Sequence, residues 1–357
     1  MSVRSRFLWV FALFVVAVAC AIAYARFIRI PANVAYVSEE DGGIVAIDLH
    51  SLRILKRVHP KDTAPRGIGV TFDGKYLVTA NKDTGDASVF DTRGLRLLRR
   101  VPVGDNPEFV KFDPSGASVF ISYEPGSTAG PPVEPAIGEE DDDTDEPPAE
   151  IMEFRVADWS RVRSFVAGRE TEGLEFSADG KQLIVANEAQ DTLGVYDVAT
   201  GKLQREVNVG SYGKRPRGVK RSPAGNSYAV TMEGSGTLLS LDSNLNVIRA
   251  VSTAAKPYGL SFDRSGRRIF VAAAAAKKLQ IYSADALQLL GETPIGQRCW
   301  HFTFTPDDSK LLLACGRSNN IYVIDANTYQ PIRTIEGLHL PWGIVTYPRA
   351  FGSLSLP

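Results

Sequence analysis

Residues 65–81 read PRGIGVTFDGKYLVTAN, and variants of this pattern recur along most of the 357-residue chain. The pattern opens with the triplet Pro65-Arg66-Gly67 and continues through an apolar run to a turn at Asp73-Gly74. A second run, Leu77-Val78-Thr79-Ala80-Asn81, follows the turn and contains residues that favour strands. Two short runs separated by a turn dipeptide predict an antiparallel pair of strands.

The triplet returns at a nearly fixed period. Its third position falls at residues 67, 109, 173, 218, 259, 301 and 343, in steps of 42, 64, 45, 41, 42 and 42. A period near 42 residues, built from short strands and turns, is typical of four-stranded propeller blades and fits no helical solenoid. The sequence therefore predicts an all-β protein, a seven-bladed β-propeller of four-stranded antiparallel blades.

The two ends of the repeat region are each incomplete. Residues 34–37 have the pattern of a second strand without a first, and residues 341–345 have the pattern of a first strand with nothing after it. We expect the C-terminal strand to complete blade one, because this pairing closes the ring and leaves no free edge between blades. The predicted propeller domain spans residues 34–347.

The long step of 64 residues contains an acidic, proline-rich insertion in blade three, residues 125–150. Residues 126–150 hold nine acids and no base, so the rest of the chain has a net charge of 40 − 32 = +8. We expect a solvated loop. The alternative is a tethered lid, drawn to a basic region that includes Lys214, Arg217 and Lys220. The overall net charge of −1 gives no reason to expect a nucleic-acid partner.

The N-terminal segment, residues 1–30, has the pattern of an export signal. Arg4 and Arg6 precede nineteen uncharged residues, Phe7 to Ala25. This run is compatible with a cleaved signal peptide and also with an uncleaved membrane anchor. Either outcome predicts a periplasmic or otherwise exported protein that meets a membrane only through this segment.

The repeats resemble the YVTN family of β-propellers, as in Ala35-Tyr36-Val37-Ser38 and Leu183-Ile184-Val185-Ala186-Asn187. More narrowly, Gly296-Gln297-Arg298-Cys299-Trp300 and Pro341-Trp342-Gly343 resemble exported propellers associated with pyrroloquinoline quinone-dependent alcohol catabolism. The resemblance implies a non-enzymatic binding or scaffold protein that accompanies a quinoprotein oxidation system. A quinoprotein dehydrogenase or its cytochrome would then be the periplasmic partner.

The middle residue of each triplet is expected at one mouth of the central channel. Going round from blade one, these residues are Trp342, Arg66, Glu108, Glu172, Arg217, Tyr258 and Trp300. Aromatic faces and arginine forks together suit a small planar or anionic ligand. The interpretation favoured from sequence is structural: Arg66 pairs with Glu108, Arg217 pairs with Glu172, and the rings fill the channel.

The sequence contains few signals of catalysis. Its four histidines form no H-x-x-x-H or H-E-x-x-H pair, and it has no C-x-x-C-H motif for covalent haem. His301, beside Trp300, is expected to have a structural role, the alternatives being a proton acceptor or an axial haem ligand. We therefore predict no catalytic residue, no metal site and no covalently bound cofactor.

Two enzymatic alternatives stay open beside the scaffold hypothesis. One is a lactonase-like hydrolase that uses Glu108 and Glu172, and the other is an oxidoreductase that holds haem or a quinone non-covalently near His301 and Trp300. A protein-docking platform without any small ligand is the third alternative.

Cys299 and Cys315 are predicted to lie close to opposite each other on consecutive strands of blade seven. In an exported protein this spacing permits a disulfide. Two free buried thiols are the alternative.

Overall fold

The computed structural model describes residue 30, residues 32–126 and residues 147–355. The predicted export segment and most of the acidic insertion lie outside these residues. Within the described part, every sheet has four strands, and seven sheets form the blades of a propeller.

The strand bounds follow the predicted repeat. Blade one contains β1 (Val34–Glu39), β2 (Gly43–Asp48) and β3 (Arg53–Val58); blade two contains β4 (Pro65–Val70), β5 (Tyr76–Asn81), β6 (Asp86–Asp91) and β7 (Arg96–Pro102). Blade three contains β8 (Val110–Phe112), β9 (Ser118–Tyr123), β10 (Glu150–Arg155) and β11 (Arg161–Val166); blade four contains β12 (Thr171–Phe176), β13 (Gln182–Asn187), β14 (Thr192–Asp197) and β15 (Leu203–Asn208).

Blade five contains β16 (Pro216–Arg221), β17 (Ser227–Met232), β18 (Thr237–Asp242) and β19 (Val247–Ser252); blade six contains β20 (Pro257–Phe262), β21 (Arg268–Ala273), β22 (Lys278–Ser283) and β23 (Leu289–Pro294). Blade seven contains β24 (Cys299–Phe304), β25 (Lys310–Cys315), β26 (Asn320–Asp325) and β27 (Pro331–Ile335), and the last strand is β28 (Pro341–Tyr347). Short 3-10 helices occupy Glu188–Gln190 and Gly316–Ser318.

The ring closes as predicted. β28 pairs antiparallel with β1, with Ala35 opposite Thr346 and Tyr36 opposite Val345, and so becomes the innermost strand of blade one. Six of its seven residues are buried. The N- and C-terminal parts of the repeat region therefore share one sheet, and no blade edge is left open between blades one and seven.

Glycine at the third position of most triplets lets neighbouring inner strands approach each other. A Cβ on Gly67 would lie 2.2 Å from the carbonyl oxygen of Glu108, and a Cβ on Gly259 would lie 2.4 Å from that of Trp300. The amide of Gly67 donates to the same Glu108 oxygen at 2.8 Å. The triplets therefore gather at one end of the channel, which we call the upper mouth, and the opposite end is the lower end.

The chain continues after β28 in a way that the sequence analysis missed. The segment 348–355 runs back into the channel from the lower end and pairs with β24, with Thr303 opposite Gly352. The amide of Ser353 donates to Phe302 O at 2.9 Å, and the amide of Phe304 donates to Phe351 O at 2.8 Å. This C-terminal segment therefore plugs part of the channel.

Blade seven also contains a cross-strand disulfide. Cys299 on β24 lies directly opposite Cys315 on β25, and their sulfur atoms are bonded. Both residues are fully buried. The disulfide therefore fastens the innermost hairpin of the blade that also carries the C-terminal segment.

Candidate functional site

The upper mouth is closed on one side by a cluster of charged residues around Arg217 on β16. Its guanidinium lies 2.6 Å from Glu172 Oε1, 2.9 Å from Glu188 Oε2, and in direct contact with Glu233. It also donates to the hydroxyl of Tyr258 at 2.9 Å. The ion pair predicted between Arg217 and Glu172 is therefore present, within a larger cluster of three carboxylates on one guanidinium.

A smaller cluster lies around Arg66 on β4, on another part of the rim. Its Nε lies 2.7 Å from Glu40 Oε1, and its NH1 lies 3.2 Å from Glu108 Oε1. Arg66 is 7% exposed. The second predicted pair, Arg66 with Glu108, is thus also present, and Glu40 joins it.

Three buried carboxylates share Arg217, and Arg215 and Arg298 also contact Glu188 and Glu233. Burial makes the close approach of these like charges costly. Burial, together with the repulsion of Glu108 and Glu188, holds the pKa of Glu172 well above its ordinary value although Arg217 opposes the shift. Burial likewise raises the pKa of Glu188, against the pull of Arg217, with a contribution from Glu233. Burial in the cluster therefore favours the protonated forms of Glu172 and Glu188.

An aromatic layer fills the channel beside these ion pairs. The ring of His301 lies 4.4 Å from the Trp342 ring, 5.4 Å from the Tyr258 ring and 5.7 Å from the Phe109 ring, measured between centroids. Phe109 and His301 stand at the triplet position that is glycine in the other five repeats. Trp300 differs, because its indole lies over Gly316 in the loop of its own blade.

Ser353 holds the imidazole of His301 in place. Its Oγ accepts from the Phe302 amide at 3.0 Å and lies 3.1 Å from Phe302 O and 3.0 Å from His301 Nδ1. When the hydroxyl proton is donated to Phe302 O, His301 Nδ1 is the protonated nitrogen. Burial, with the nearby charges of Arg217 and Lys220, lowers the pKa of His301 well below its ordinary value. The ring is therefore neutral, and in the tautomer protonated at Nδ1 its Nε2 has a lone pair. Nε2 makes no hydrogen bond to any described residue.

A cavity of about 20 Å³ lies beside this imidazole. Its wall includes Phe109, Leu174, Arg217, Tyr258 and Ser353. A space of this size holds about one water molecule. In this closed arrangement the channel therefore admits a water-sized molecule next to His301 and nothing larger.

Sequence reasoning placed the eight candidate residues at one end of the fold but missed several of their partners. It did not single out Phe109, because the third triplet position is glycine in most repeats and was read only as a marker of the period. It missed Ser353, which lies beyond the last repeat. The described residues contain no group of three or more His, Cys, Asp or Glu side chains arranged for a metal ion.

The proposed docking region for the acidic insertion needs a correction. Lys220 is 2% exposed and lies in the channel against Glu175, so it is unable to attract a surface loop. Arg217 is likewise held by buried carboxylates. The insertion itself falls mostly outside the described residues, and its role as a lid or a solvated loop stays a prediction.

Two family models match parts of the chain. The model "Lactonase, 7-bladed beta-propeller" matches residues 160–244, and the "Cytochrome D1 heme domain" model matches residues 18–116. Each covers well under half of the chain. The first match includes Glu172, Glu188, Arg217 and Glu233 of the upper mouth, and the second includes Arg66 and Glu108.

Comparisons over the whole length lead to the same two groups. Protein NirF of Stutzerimonas stutzeri is 23% identical in an alignment 339 residues long that covers 88% of this chain and 80% of that protein. The periplasmic gluconolactonase PpgL of Pseudomonas aeruginosa superposes with a TM-score of 0.71 at 18% identity, over 90% of this chain and 99% of PpgL.

The dihydro-heme d1 dehydrogenase NirN, solved in complex with DHE, superposes with a TM-score of 0.64 at 14% identity, over 89% of this chain and 76% of NirN. No helix among the described residues is long and apolar enough to cross a bilayer. The chain is thus a seven-bladed β-propeller similar to lactonase-type and NirF or cytochrome d1-type proteins, whereas the association with pyrroloquinoline quinone gains no support and stays a prediction.

Proposed function

We propose that this chain is an exported propeller that binds a planar tetrapyrrole of the haem d1 class without a covalent bond. The alternative of a non-covalent haem protein thus replaces the quinoprotein scaffold as the leading hypothesis. The similarity to NirF over most of the chain supports it, as does the match to a cytochrome d1 haem-domain model. Export is supported by the N-terminal sequence and by the similarity in fold to PpgL, a periplasmic gluconolactonase.

The observation that carries this proposal is the buried, neutral imidazole of His301, whose Nε2 has no hydrogen-bond partner among the described residues. A neutral imidazole whose Nδ1 proton is held by a second residue presents its Nε2 lone pair to a metal. Here Ser353 Oγ contacts Nδ1, and the buried Nε2 has no partner among the described residues. The donor chemistry therefore fits a ligand for iron, and His301 would be the residue that holds it.

The surrounding residues supply the other contacts that such a ligand needs. The Phe109, Tyr258 and Trp342 rings surround the imidazole and offer apolar faces to a planar macrocycle. Arg66 and Arg217 can hold carboxylates in a fork, and each would exchange a glutamate for a carboxylate of the ligand. The raised pKa of Glu172 favours this exchange, because protonated Glu172 competes less strongly for Arg217.

The closed channel sets a condition on binding. The 20 Å³ cavity is too small for a macrocycle, so the Trp342 or Tyr258 ring must move before the ligand reaches His301. When bound, the iron tetrapyrrole would supply the redox chemistry. The chain's own residues would orient it, exclude water and keep the imidazole neutral.

The proposal is tested by titrating the purified protein with haem d1 and, as a comparator, with hemin, and following the absorption spectrum. Wild-type protein is expected to bind haem d1 saturably with an iron–imidazole band. His301→Ala should lose that band. His339→Ala is the matched control, because His339 is an exposed histidine and should leave the spectrum unchanged. Identical spectra and affinities for all three proteins would contradict the proposal.

A lactonase-like hydrolase is the second candidate, favoured by one observation: the lactonase model covers the Glu172 cluster, where burial raises the pKa of Glu172. Against it, one oxygen of each of Glu172, Glu188 and Glu233 contacts Arg217, and the second oxygens of Glu188 and Glu233 contact Arg215 and Arg298. Lactone hydrolysis, with and without divalent metal, should be lost in Glu172→Gln if this candidate is correct.

The quinoprotein scaffold and the protein-docking platform stay predictions. A pull-down of the protein from periplasm that recovers a quinoprotein dehydrogenase or its cytochrome, with no tetrapyrrole bound, would favour them.

A further inference from the structure

The lower end of the channel holds a second cluster of charged residues. Glu175 on β12 is fully buried, and one of its oxygens receives two ammonium groups. Lys111 Nζ and Lys220 Nζ each lie 3.2 Å from Glu175 Oε2. Lys220 also donates to the carbonyl oxygen of Ser355 at 3.3 Å. Among these three charged groups, two cations therefore share one anion at a site where burial makes an uncompensated charge costly.

A cavity of about 110 Å³ adjoins this cluster. Its charged lining consists of Lys111, Glu175, Arg221 and Arg349. Arg349 stacks 3.7 Å above the centre of the Phe72 ring, and Arg221 Nε donates to Phe176 O at 3.0 Å. Glu175 is the only carboxylate in that lining, within the part of the chain that the structure describes. The lining thus contains three cationic groups and one anionic group.

The cavity has the size and the access that a small polyatomic ion requires. One water occupies about 10–15 Å³ by this measure, so 110 Å³ accommodates several heavy atoms. Phe72, on one wall, is 39% exposed, so this wall reaches the protein surface. Leu354 and Ser355 of the C-terminal segment form the opposite part of the lining.

We propose that this lower cavity binds a small oxyanion, of the phosphate or carboxylate class, through Arg349, Arg221 and Lys111. Guanidinium forks match the paired oxygens of such anions, and a buried ammonium group adds a point charge. The anion would supply the counter-charge that the Lys111–Glu175–Lys220 cluster lacks. The site is separate from His301 and independent of the proposed function.

The titration behaviour of Lys220 supports this assignment. Burial, followed by the charge of Lys111, lowers the pKa of Lys220 to about 7, against the pull of Glu175. A lysine with such a pKa lacks sufficient negative charge around it. An anion bound beside Lys111 would weaken the repulsion and favour the protonated amine.

A free anion and a lipid headgroup offer the same phosphate chemistry. The described chain begins on this same face, where the amide of Ile30 donates to Arg93 O at 2.7 Å, in the turn between β6 and β7. A retained N-terminal anchor would therefore bring the lower end toward a bilayer. Inorganic phosphate, acetate and sn-glycerol 3-phosphate, a soluble headgroup analogue, distinguish these sources.

The test is calorimetric titration of the full-length protein with each of the three anions. Wild-type protein is expected to bind at least one saturably, and Arg349→Gln and Arg221→Gln should each weaken binding about tenfold or more. Lys75→Gln is the matched control, because Lys75 is an exposed lysine beside Phe72 and pairs with Asp73 outside the cavity. Its affinity should equal that of wild type.

Tighter binding of sn-glycerol 3-phosphate than of phosphate would indicate a headgroup or phosphate ester as the ligand. Tighter binding of phosphate would indicate a free anion. Either result supports the proposed site. The proposal is overturned if no anion binds saturably to the wild-type protein, or if Arg349→Gln and Arg221→Gln bind as tightly as Lys75→Gln. Arg349 is only half-buried, so its substitution should leave the fold intact.

Discussion

The upper mouth and the lower end of the channel each hold a buried charged cluster arranged around one shared ion. At the upper mouth, three carboxylates converge on Arg217, whereas at the lower end two ammonium groups converge on Glu175. All three carboxylates are strongly buried, as are both lysines. The shared ion is a cation at the upper mouth and an anion at the lower end, so the two ends should differ in the ligands they accept and in their response to pH.

The largest expected effect tests whether β28 closes the ring, because the channel and its two ends exist only in the closed propeller. Deleting residues 339–357 removes β28, the inner strand of blade one, and should cost more than about 5 kcal/mol, which is comparable with the whole stability of many domains. Deleting only residues 348–357 keeps the ring closed and should cost less. Denaturant unfolding of both truncated proteins checks this, and an unchanged midpoint for the first would refute ring closure.

The next effect concerns the upper mouth. Arg217→Met leaves Glu172, Glu188 and Glu233 without their shared cation, and should destabilise the protein by about 3–5 kcal/mol at neutral pH. Arg66→Met leaves only two carboxylates, Glu40 and Glu108, without their shared cation, and should lower the free energy of unfolding by less. Urea unfolding at pH 7 measures both.

The pH dependence of Arg217→Met sharpens the same point. The pKa of Glu172 is raised in the folded protein. At pH values between its ordinary pKa and this raised pKa, the folded state therefore binds more protons than the unfolded state. Stability of the variant should therefore increase as the pH falls from 7 to 5. A variant that loses stability over this interval would show that the carboxylates are not the source of the cost.

The disulfide at the upper end of blade seven should have an intermediate effect. Cys299 and Cys315 are 16 residues apart, and a loop of this length is associated with about 3 kcal/mol. The double substitution Cys299→Ala, Cys315→Ala should lower the free energy of unfolding by about this amount. Mass measurement with and without reductant first establishes whether the purified protein contains the bond.

The smallest effect concerns Lys220 at the lower end and is a change in how steeply the free energy of unfolding depends on pH. The pKa of Lys220 is about 7 in the folded protein and about 10.5 in an unperturbed lysine, so the unfolded state binds more protons between these values. This group therefore makes stability rise between pH 7 and 10. Lys220→Met should flatten that rise and retain the Lys111–Glu175 pair, and equal slopes would contradict the account.

The seven blades and the closing strand could be predicted from the sequence because each repeat contains its own strands, turns and glycine at a fixed period. The pairs Arg66–Glu108 and Arg217–Glu172 followed from the same periodicity, since each joins neighbouring triplets. Repetition therefore predicts contacts between equivalent positions of adjacent blades.

Contacts that break the repeat could not be predicted in this way. The segment 348–355 has no counterpart in other blades, and its pairing with β24 depends on a channel that exists only in the folded ring. Lys220 appeared to belong to a surface basic patch, because the sequence does not show that Glu175, 45 residues earlier, lies against it. The state of His301 was missed for the same reason, since it depends on Ser353.

The most direct test of the central claim is native mass spectrometry of the protein purified from the periplasm of a host that makes haem d1. The account predicts a mass higher than the polypeptide by one tetrapyrrole, which is lost on denaturation and is absent from His301→Ala but present in His339→Ala. An unliganded polypeptide mass for the wild-type protein under native conditions would contradict it.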